Sequence, residues 1–300
     1  MTDIYARLAY PAELAANGAL LGLMYALVAL GIVLVYKSSA VANLAHGSLV
    51  MLGAFVTWAI TIHLRFPLAL ALVAAVLVMA AVGAGIERLA LRRMAGQPLI
   101  MILMLTLGLE IMLRGLAPAI WGAGSKPFSI GISQDPLFVG ALLINRVYLA
   151  GGALALVLML LLMLLFHTRF GVVLRAVSDD HVASWSVGIA VERAIGLTWA
   201  IAGGLATLAG AVWASVQGID WTLSLLLLKA LAVAILGGLD SIGGAVVAGL
   251  LVGVLESVIS GYLDPLVGGG TKEVVAAVVI LLTILFKPHG LFGREIIERV

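Results

Sequence analysis

Hydrophobic residues fill most of this chain in runs of about 20 positions that are separated by short polar stretches. A helix needs that many apolar residues to cross a lipid bilayer. The clearest runs are residues 14–35, 41–62, 67–86, 98–119, 147–166, 194–216 and 273–286. The pattern predicts an all-α, polytopic membrane protein whose residues 1–300 form a single transmembrane domain.

A longer apolar run, 224–262, is interrupted by the sequence GGLDSIGG at 237–244. The piece before this break is short for a full span. The run predicts either a discontinuous, re-entrant helix or two crossings joined by a tight glycine turn. We therefore expect eight or nine transmembrane elements in total.

Composition supports a membrane protein and excludes several other classes. Hydrophobic residues make up 63% and charged residues 11% of the chain, whereas soluble domains are about 25% charged. The net charge of +2 is too small, and its basic residues too scattered, to indicate nucleic-acid binding. The sequence contains no cysteine, no GxxxxGK[ST] phosphate loop, and no HExxH or GxSxG motif. We expect no catalytic residue, metal or bound cofactor, so the chain is interpreted as a conduit.

Lysine and arginine collect after the third apolar run, in the central loop 167–193 and in the C-terminal tail. Cytoplasmic loops of membrane proteins are enriched in these residues. With nine crossings every group lies in the cytoplasm and the loop 121–146 lies outside, as does the N-terminus. With eight crossings, one of these positions relative to the membrane would have to be wrong. The basic residues of the three groups are Arg88, Arg92, Arg93, Arg169, Arg175, Arg193, Lys287, Arg294 and Arg299.

Small residues recur every fourth position in the second half of the broken run. They are Ser241, Ala245, Gly249, Gly253, Ser257 and Gly261. This spacing aligns them on one helix face, which allows a second helix to approach closely. The alternative is an ordinary apolar segment that is rich in small residues without any packing function. Gly18 and Gly22 form a single, weaker pair of the same kind.

Ionisable residues inside spans are costly and are therefore functional candidates. Glu110 and Arg114 are four residues apart and can pair on one helix face. Lys229 is expected to extend its amine to the outer membrane interface. Glu256 either lines a cavity or extends outward in the same way. No acidic or histidine relay crosses the membrane, which argues against a proton pump.

The sequence Asn43-Leu44-Ala45-His46-Gly47 opens the second apolar run. Asparagine and histidine one turn apart either cap the helix or bind a ligand. The residues alone leave both interpretations open.

The central loop 167–193 is a polar segment between two apolar runs. Ser178 is a favourable N-cap residue, and Asp179 and Asp180 would follow in the first turn, where the helix dipole stabilises carboxylates. The sequence predicts a helix of about ten residues from Ser178 to Gly188, which can end it.

The same predicted helix carries an apolar stripe formed by Val182, Trp185 and Ile189. Such a stripe needs either a membrane surface or a groove in another protein. Its acidic start would be repelled by anionic lipid, whereas helices that lie on membranes usually carry lysine there. The pattern favours a protein partner.

Taken together, these segments resemble the permease subunits of branched-chain amino acid ABC importers, and among them the H-type subunit. The matching motifs are GxxYALxALGxxLVY at 22–36, NLAHGSLxMLGA at 43–54, TLGL at 106–109, RFGVVLRAVSDDxxASxxxGI at 169–189, LKALAVAILGGLDSIGGAVVAGLLVGVLE at 228–256 and KPHGLFGR at 287–294. Their order and spacing extend over nearly the whole chain.

The resemblance implies a second, homologous permease subunit, two cytoplasmic ABC ATPase subunits that bind ATP and magnesium, and a periplasmic substrate-binding protein. It implies a bacterial inner-membrane location, with loop 167–193 and the C-terminus in the cytoplasm. The ATPase-coupling candidates are Arg175, Ser178, Asp179, Asp180, Ala183, Trp185, Gly188 and Ile189. Trp185 departs from the smaller aliphatic residue that the family often has. The loop 121–146 matches nothing in the family, so its contact with a binding protein is left open.

The candidates for the translocation path are Asn43, His46, Gly47, Gly237, Gly238 and Glu256, and those for helix packing are Ala245, Gly249, Gly253 and Ser257. The cargo would be a branched-chain or related hydrophobic amino acid. Two alternatives remain: a permease of the same family for urea, amides or carboxylic acids, and a transporter or channel that works alone on a small polar or zwitterionic solute.

Overall fold

A computed structural model describes residues 2–94, 96–139 and 142–293 of the chain and confirms an all-α, polytopic fold. Its helices are α1 Thr2–Ser39, α2 His46–His63, α3 Leu68–Leu89, α4 Leu99–Trp121, α5 Arg146–His167, α6 Arg169–Asp179, α7 His181–Ser186, α8 Val191–Gln217, α9 Leu226–Gly237, α10 Ile242–Val267 and α11 Thr271–Phe286. Short 3₁₀ helices occupy Leu91–Met94 and Trp221–Leu225, and strands β1 Leu137–Val139 and β2 Leu142–Ile144 pair antiparallel.

Seven of the described helices are long and apolar enough to cross a membrane, namely those in α1 to α5, α8 and α10. α9 and α11 are apolar but shorter, at 12 and 16 residues. The count of eight or nine crossings therefore stays a prediction. Arg294 and Arg299 of the basic tail lie outside the described residues.

The described chain divides into two compact units. One comprises Met1–Ala29, Gly131–Met159 and Leu228–Val300, and the other comprises Leu30–Ile130 and Leu160–Leu227. The prediction of a single domain for the whole chain remains untested. Each unit contains helices whose backbones touch.

In the first unit, α1 packs on α10 through glycine against glycine. A methyl group on Gly22 would collide with the carbonyl oxygen of Gly249, and one on Gly249 would lie 2.5 Å from the carbonyl oxygen of Gly22. Gly18 and Gly253 face each other in the same way, and Ser257 also contacts Gly18. The pair Gly18 and Gly22, weak as a sequence signal, is thus the surface that receives the small residues of α10.

The other three members of the small-residue series of α10 are Ser241, Ala245 and Gly261. Ala245 is fully buried, and Gly261 faces the side chain of Leu14. Ser241 is the N-cap of α10, and its hydroxyl accepts a hydrogen bond of 3.0 Å from the Gly244 amide. The first residue of the series therefore caps α10, and the following ones form its packing face.

In the second unit, α8 lies against both α2 and α3. Gly210 meets the backbone of Val50 on α2, and Gly203 meets the carbonyl group of Met79 on α3. From Ala202 to Ser215 nearly every residue of α8 is buried. A helix that is apolar on all sides is expected at the centre of such a bundle.

We predict that Gly249→Leu lowers the stability of the folded protein by about 1–3 kcal/mol, because the added side chain would have to displace the α1 backbone. Thermal unfolding in detergent, followed by size-exclusion chromatography, measures the loss. Gly115→Leu is the matched control, since a methyl group there meets nothing within 4 Å. An equal loss of stability in both variants would contradict the packing role of Gly249.

Candidate functional site

The segment between α1 and α2 holds a buried asparagine. Asn43 is fully buried, and its Oδ1 accepts a hydrogen bond of 3.0 Å from the Ala45 amide. The N-cap position of α2 is Ala45, with no side-chain cap. Asn43 thus closes the turn that precedes the helix rather than capping the helix itself. Its Nδ2 has no hydrogen-bond partner among the described residues.

His46 and Gly47 fit into spaces that other backbones leave open. His46 is fully buried, and its imidazole ring lies where a side chain at Gly31 would be. Gly47 lies against the carbonyl oxygen of Ser224, and a methyl group there would also be 2.7 Å from the Cβ of Leu227. These contacts assign a packing function to both residues.

A cavity of about 590 Å³ opens beside Asn43 within the second unit. Aliphatic residues and two indoles, Trp185 and Trp199, make most of its wall apolar. Its polar lining residues are Ser39, Asn43, Glu87, Arg92, Gln97, Thr106 and Glu192. This volume lies within the roughly 300–1,000 Å³ of pockets that hold small molecules.

Three charged residues of the cavity form one ion-pair network. Arg92 donates to Glu87 over 3.2 Å and contacts Glu192 over 3.0 Å. Glu87 is buried, and a methyl group on Gly196 would lie 3.2 Å from its Oε2, so this glycine leaves room for the carboxylate. Two carboxylates share one guanidinium, which leaves the network with a net negative charge.

The loop between α5 and α8 folds into α6 and α7, which corrects the predicted helix from Ser178 to Gly188. Ser178 and Asp179 complete α6, and the Asp180 amide donates to the Ala176 carbonyl over 3.1 Å. The chain becomes extended at Asp180, whose Oδ1 accepts a 2.9 Å hydrogen bond from Ala183. Asp180 is therefore the residue that caps α7, and α7 has six residues rather than about ten.

The remaining coupling candidates differ in exposure. Trp185 is 70% exposed, and Val187 beyond it is 77% exposed. The apolar stripe cannot be traced in full, because the side chain of Val182 lies outside the described part of the structure. Gly188 has a φ of +85°, which favours glycine, and the Ile189 amide donates to the carbonyl of Ser184. A short helix with an exposed indole results.

Arg175 is engaged within the chain. Its guanidinium donates a 2.7 Å hydrogen bond to the carbonyl oxygen of Phe166, near the end of α5. Gly171 contacts the backbone of the same phenylalanine. Arg175 therefore fixes α6 to the end of α5 and orients the segment that carries α7.

Lys229 and Glu256 form a buried ion pair, which differs from the outward extension expected of Lys229 and from one of the two alternatives left open for Glu256. Their Nζ and Oε1 atoms are 3.0 Å apart; Lys229 is 12% exposed, and Glu256 is fully buried. The Tyr25 hydroxyl donates a 2.8 Å hydrogen bond to the same carboxylate oxygen. Pairing lowers the large cost of a charge in an apolar environment.

Glu110 and Arg114 confirm the predicted pair on α4, with 3.5 Å between Oε1 and the guanidinium. The Ser48 hydroxyl on α2 donates a 3.0 Å hydrogen bond to the carbonyl oxygen of Glu110. The hydrogen bond from Ser48 therefore connects α2 to α4 in the second unit.

Gly237 and Gly238 lie at the break between α9 and α10. Gly237 and Gly244 meet backbone to backbone, and Gly238 has a φ of +98°. The Leu291 amide donates to the Leu236 carbonyl over 2.7 Å, and Phe292 donates to Gly237 over 3.2 Å. The tail thereby satisfies carbonyl groups that the end of α9 leaves open. This contact assigns both glycines a structural function at the break.

The family model for the branched-chain amino acid transport system permease component matches residues 14–286. The chain belongs to this permease family. The permease is 28% identical to the high-affinity branched-chain amino acid transport system permease protein LivH of Escherichia coli, over 95% of this chain and 96% of the relative.

Two other relatives cover most of the permease. BraD of Pseudomonas aeruginosa, a high-affinity branched-chain amino acid transport system permease protein, is 30% identical over 95% of this chain and 96% of its own length. A probable branched-chain amino acid transport permease protein LivH of Methanocaldococcus jannaschii is 32% identical over 90% of this chain and 88% of its own length.

Sequence reasoning missed the contacts between polar residues of the permease that meet only in three dimensions. Lys229 and Glu256 are 27 positions apart, and Tyr25 is far from both. Glu87 and Arg92 are close in sequence, but Glu192 comes from α8. The available signal was a charged residue inside an apolar run. It identified Lys229 and Glu256 as candidates but did not show that they form a pair.

We predict that Lys229→Met destabilises the permease by roughly 3–5 kcal/mol, because Glu256 would be left as an unpaired buried charge. Lys229→Met combined with Glu256→Gln should recover most of the lost stability. Denaturation in mild detergent measures both, with Lys272→Met as the control at an exposed lysine. Equal stability of the single and the double variant would contradict this account.

Proposed function

We propose that the permease is the membrane-spanning subunit of an ABC importer that moves branched-chain or related hydrophobic amino acids inward. ATP and magnesium would bind to separate ATPase subunits, so this chain would be a transport subunit and not an enzyme. The observation that carries the proposal is the exposed indole of Trp185 on a short, capped helix, in a chain of this family that has no phosphate loop of its own.

The partners follow from this division of labour. Two cytoplasmic ATPases would supply energy, a second homologous permease would complete the path, and a periplasmic binding protein would deliver the cargo. The names of the relatives support the cargo class, since each refers to branched-chain amino acid transport.

The orientation of the permease rests on its basic residues. Arg88, Arg92 and Arg93 follow α3, and Arg169, Arg175 and Arg193 lie between α5 and α8. With α9 and α11 counted as crossings, these groups and Lys287 share the cytoplasmic side of a bacterial inner membrane. The loop that carries α7 then faces the ATPases, and the hairpin of β1 and β2 faces outward.

The coupling mechanism uses α7 as the contact. ATP would close the two ATPases, whose grooves would displace Trp185, and the transmembrane helices would then exchange outward for inward access. The bias comes from the difference in binding free energy of ATP for the closed and open ATPases. Arg175, Ser178 and Asp179 hold or end α6, Asp180 and Ala183 cap α7, and Gly188 and Ile189 end it.

The rival function is a transporter or channel that works alone. Ion-coupled transport needs ionisable groups that change charge along a path. Lys229 is neutralised by Glu256, and Arg114 by Glu110. This disfavours the rival, because neither pair leaves an unbalanced charge for ion coupling. Uptake by the purified permease without ATPases would refute the importer proposal.

We predict that Trp185→Asp uncouples ATP hydrolysis from uptake, because a carboxylate replaces the apolar contact with the ATPase groove. The assembled transporter in proteoliposomes should lose at least about tenfold in uptake, or about 1.4 kcal/mol of coupling, while the permease remains folded. Trp185→Phe, which keeps an aromatic ring, should retain most of the uptake. Unchanged uptake in the aspartate variant would refute the contact.

A further inference from the structure

One arginine joins the end of α3 to the start of α8. Arg92, in the 3₁₀ helix that follows α3, donates through Nε and Nη2 to the two carboxylate oxygens of Glu87, over 3.3 and 3.2 Å. Its third nitrogen, Nη1, lies 3.0 Å from Oε2 of Glu192. A planar guanidinium presents its donors in a fixed fork, whereas lysine has a single ammonium group. Arg92 can therefore hold both carboxylates at once, which a lysine in its place could not do in the same geometry.

Glu87 fixes Arg92 to a pair of tightly packed helices. Gly83, one turn before Glu87 on α3, meets the carbonyl group of Trp199 on α8, and Gly196 leaves room for the buried carboxylate of Glu87. Removing the cation from a buried carboxylate is strongly unfavourable. Arg92 therefore keeps a fixed position relative to the part of α8 that packs on α3.

The first turn of α8 has weaker support. Its N-cap residue is Ala190, and no side chain of the described chain caps it. The first glycine of α8 that faces α3 is Gly196, more than one turn further on. An uncapped helix start leaves its first amide groups without helical partners and frays easily. The contact between Arg92 and Glu192, the second residue of α8, holds this turn to the end of α3.

α7 comes directly before this turn. The Ile189 amide donates to the carbonyl of Ser184 over 3.0 Å, and the Val191 amide donates to the carbonyl of Ile189 over 2.9 Å. These bonds make the connection between Trp185 and Glu192 short and folded. A displacement of α7 therefore reaches Glu192 before it reaches the part of α8 that packs on α3.

We propose that Arg92 is a positioning residue for ATP-driven transport. By pairing with Glu87 and Glu192 at the same time, it holds the uncapped first turn of α8 to α3. A displacement of α7 then moves α3 and α8 together instead of unwinding the start of α8. The inference rests on the proposed function and adds to it a residue outside the loop 167–193.

The test compares L-leucine uptake with ATP hydrolysis by the assembled transporter in proteoliposomes. Glu192→Gln removes an exposed charge, and Arg92→Lys keeps a cation for the buried Glu87 but cannot bridge both carboxylates. We expect each variant to lower the leucine taken up per ATP hydrolysed at least about threefold, the order of effect seen for residues that carry coupling between sites. A permease that was only less stable would lose uptake and hydrolysis in proportion, which would leave this ratio unchanged.

A double variant shows whether the two residues act through one contact. The ratio for Arg92→Lys combined with Glu192→Gln should be no lower than that of the more impaired single variant, because both changes remove the same interaction. Reductions that multiply in the double variant would overturn the proposal. Arg93→Lys, at the neighbouring exposed arginine, and Asp135→Asn, in the exposed loop before β1, are the matched controls and should keep the wild-type ratio.

The inference and the proposed function fail in different ways. An unchanged ratio in either single variant, with ATP-driven uptake intact in the wild type, overturns the inference alone. Absence of ATP-driven uptake of every hydrophobic amino acid by the wild-type transporter overturns the proposed function.

Discussion

Close backbone approach between helices is the constraint on which this structure depends. Lipid tails are as apolar as leucine, so burial alone does not drive helices together inside a bilayer. Contact between backbones must supply the attraction, and Gly22 with Gly249 provides it where α1 meets α10. Gly203 and Gly210 provide it where α8 meets α3 and α2. The high glycine content, 35 of 300 residues, is therefore a packing property of this permease.

Once the helices are this close, each polar group between them needs a partner within reach. Glu256 has Lys229 and Tyr25, and Glu110 has Arg114 with Ser48 close by. Asn43 is different, because its Oδ1 is used in a turn while its Nδ2 is buried and has no hydrogen-bond partner among the described residues.

Much of the fold could be predicted because a membrane helix is defined by a long, simple pattern. The apolar runs 98–119 and 147–166 differ from α4 and α5 by at most two residues at either end. The loop helix was wrong for a local reason. Ser178 and Asp180 are both good caps, and the sequence does not show that α6 continues through Ser178 to satisfy its own hydrogen bonds. The site was predicted only in part, since Asn43 was marked while Glu87 and Glu192 join it through the fold.

The ion pair between α9 and α10 also limits how these helices can move. The Lys229 amine on α9 lies 3.0 Å from the Glu256 carboxylate on α10, and a movement that separated them would leave an unpaired charge in the interior. The cost of that charge opposes any rearrangement of the two helices that does not keep the amine and the carboxylate together.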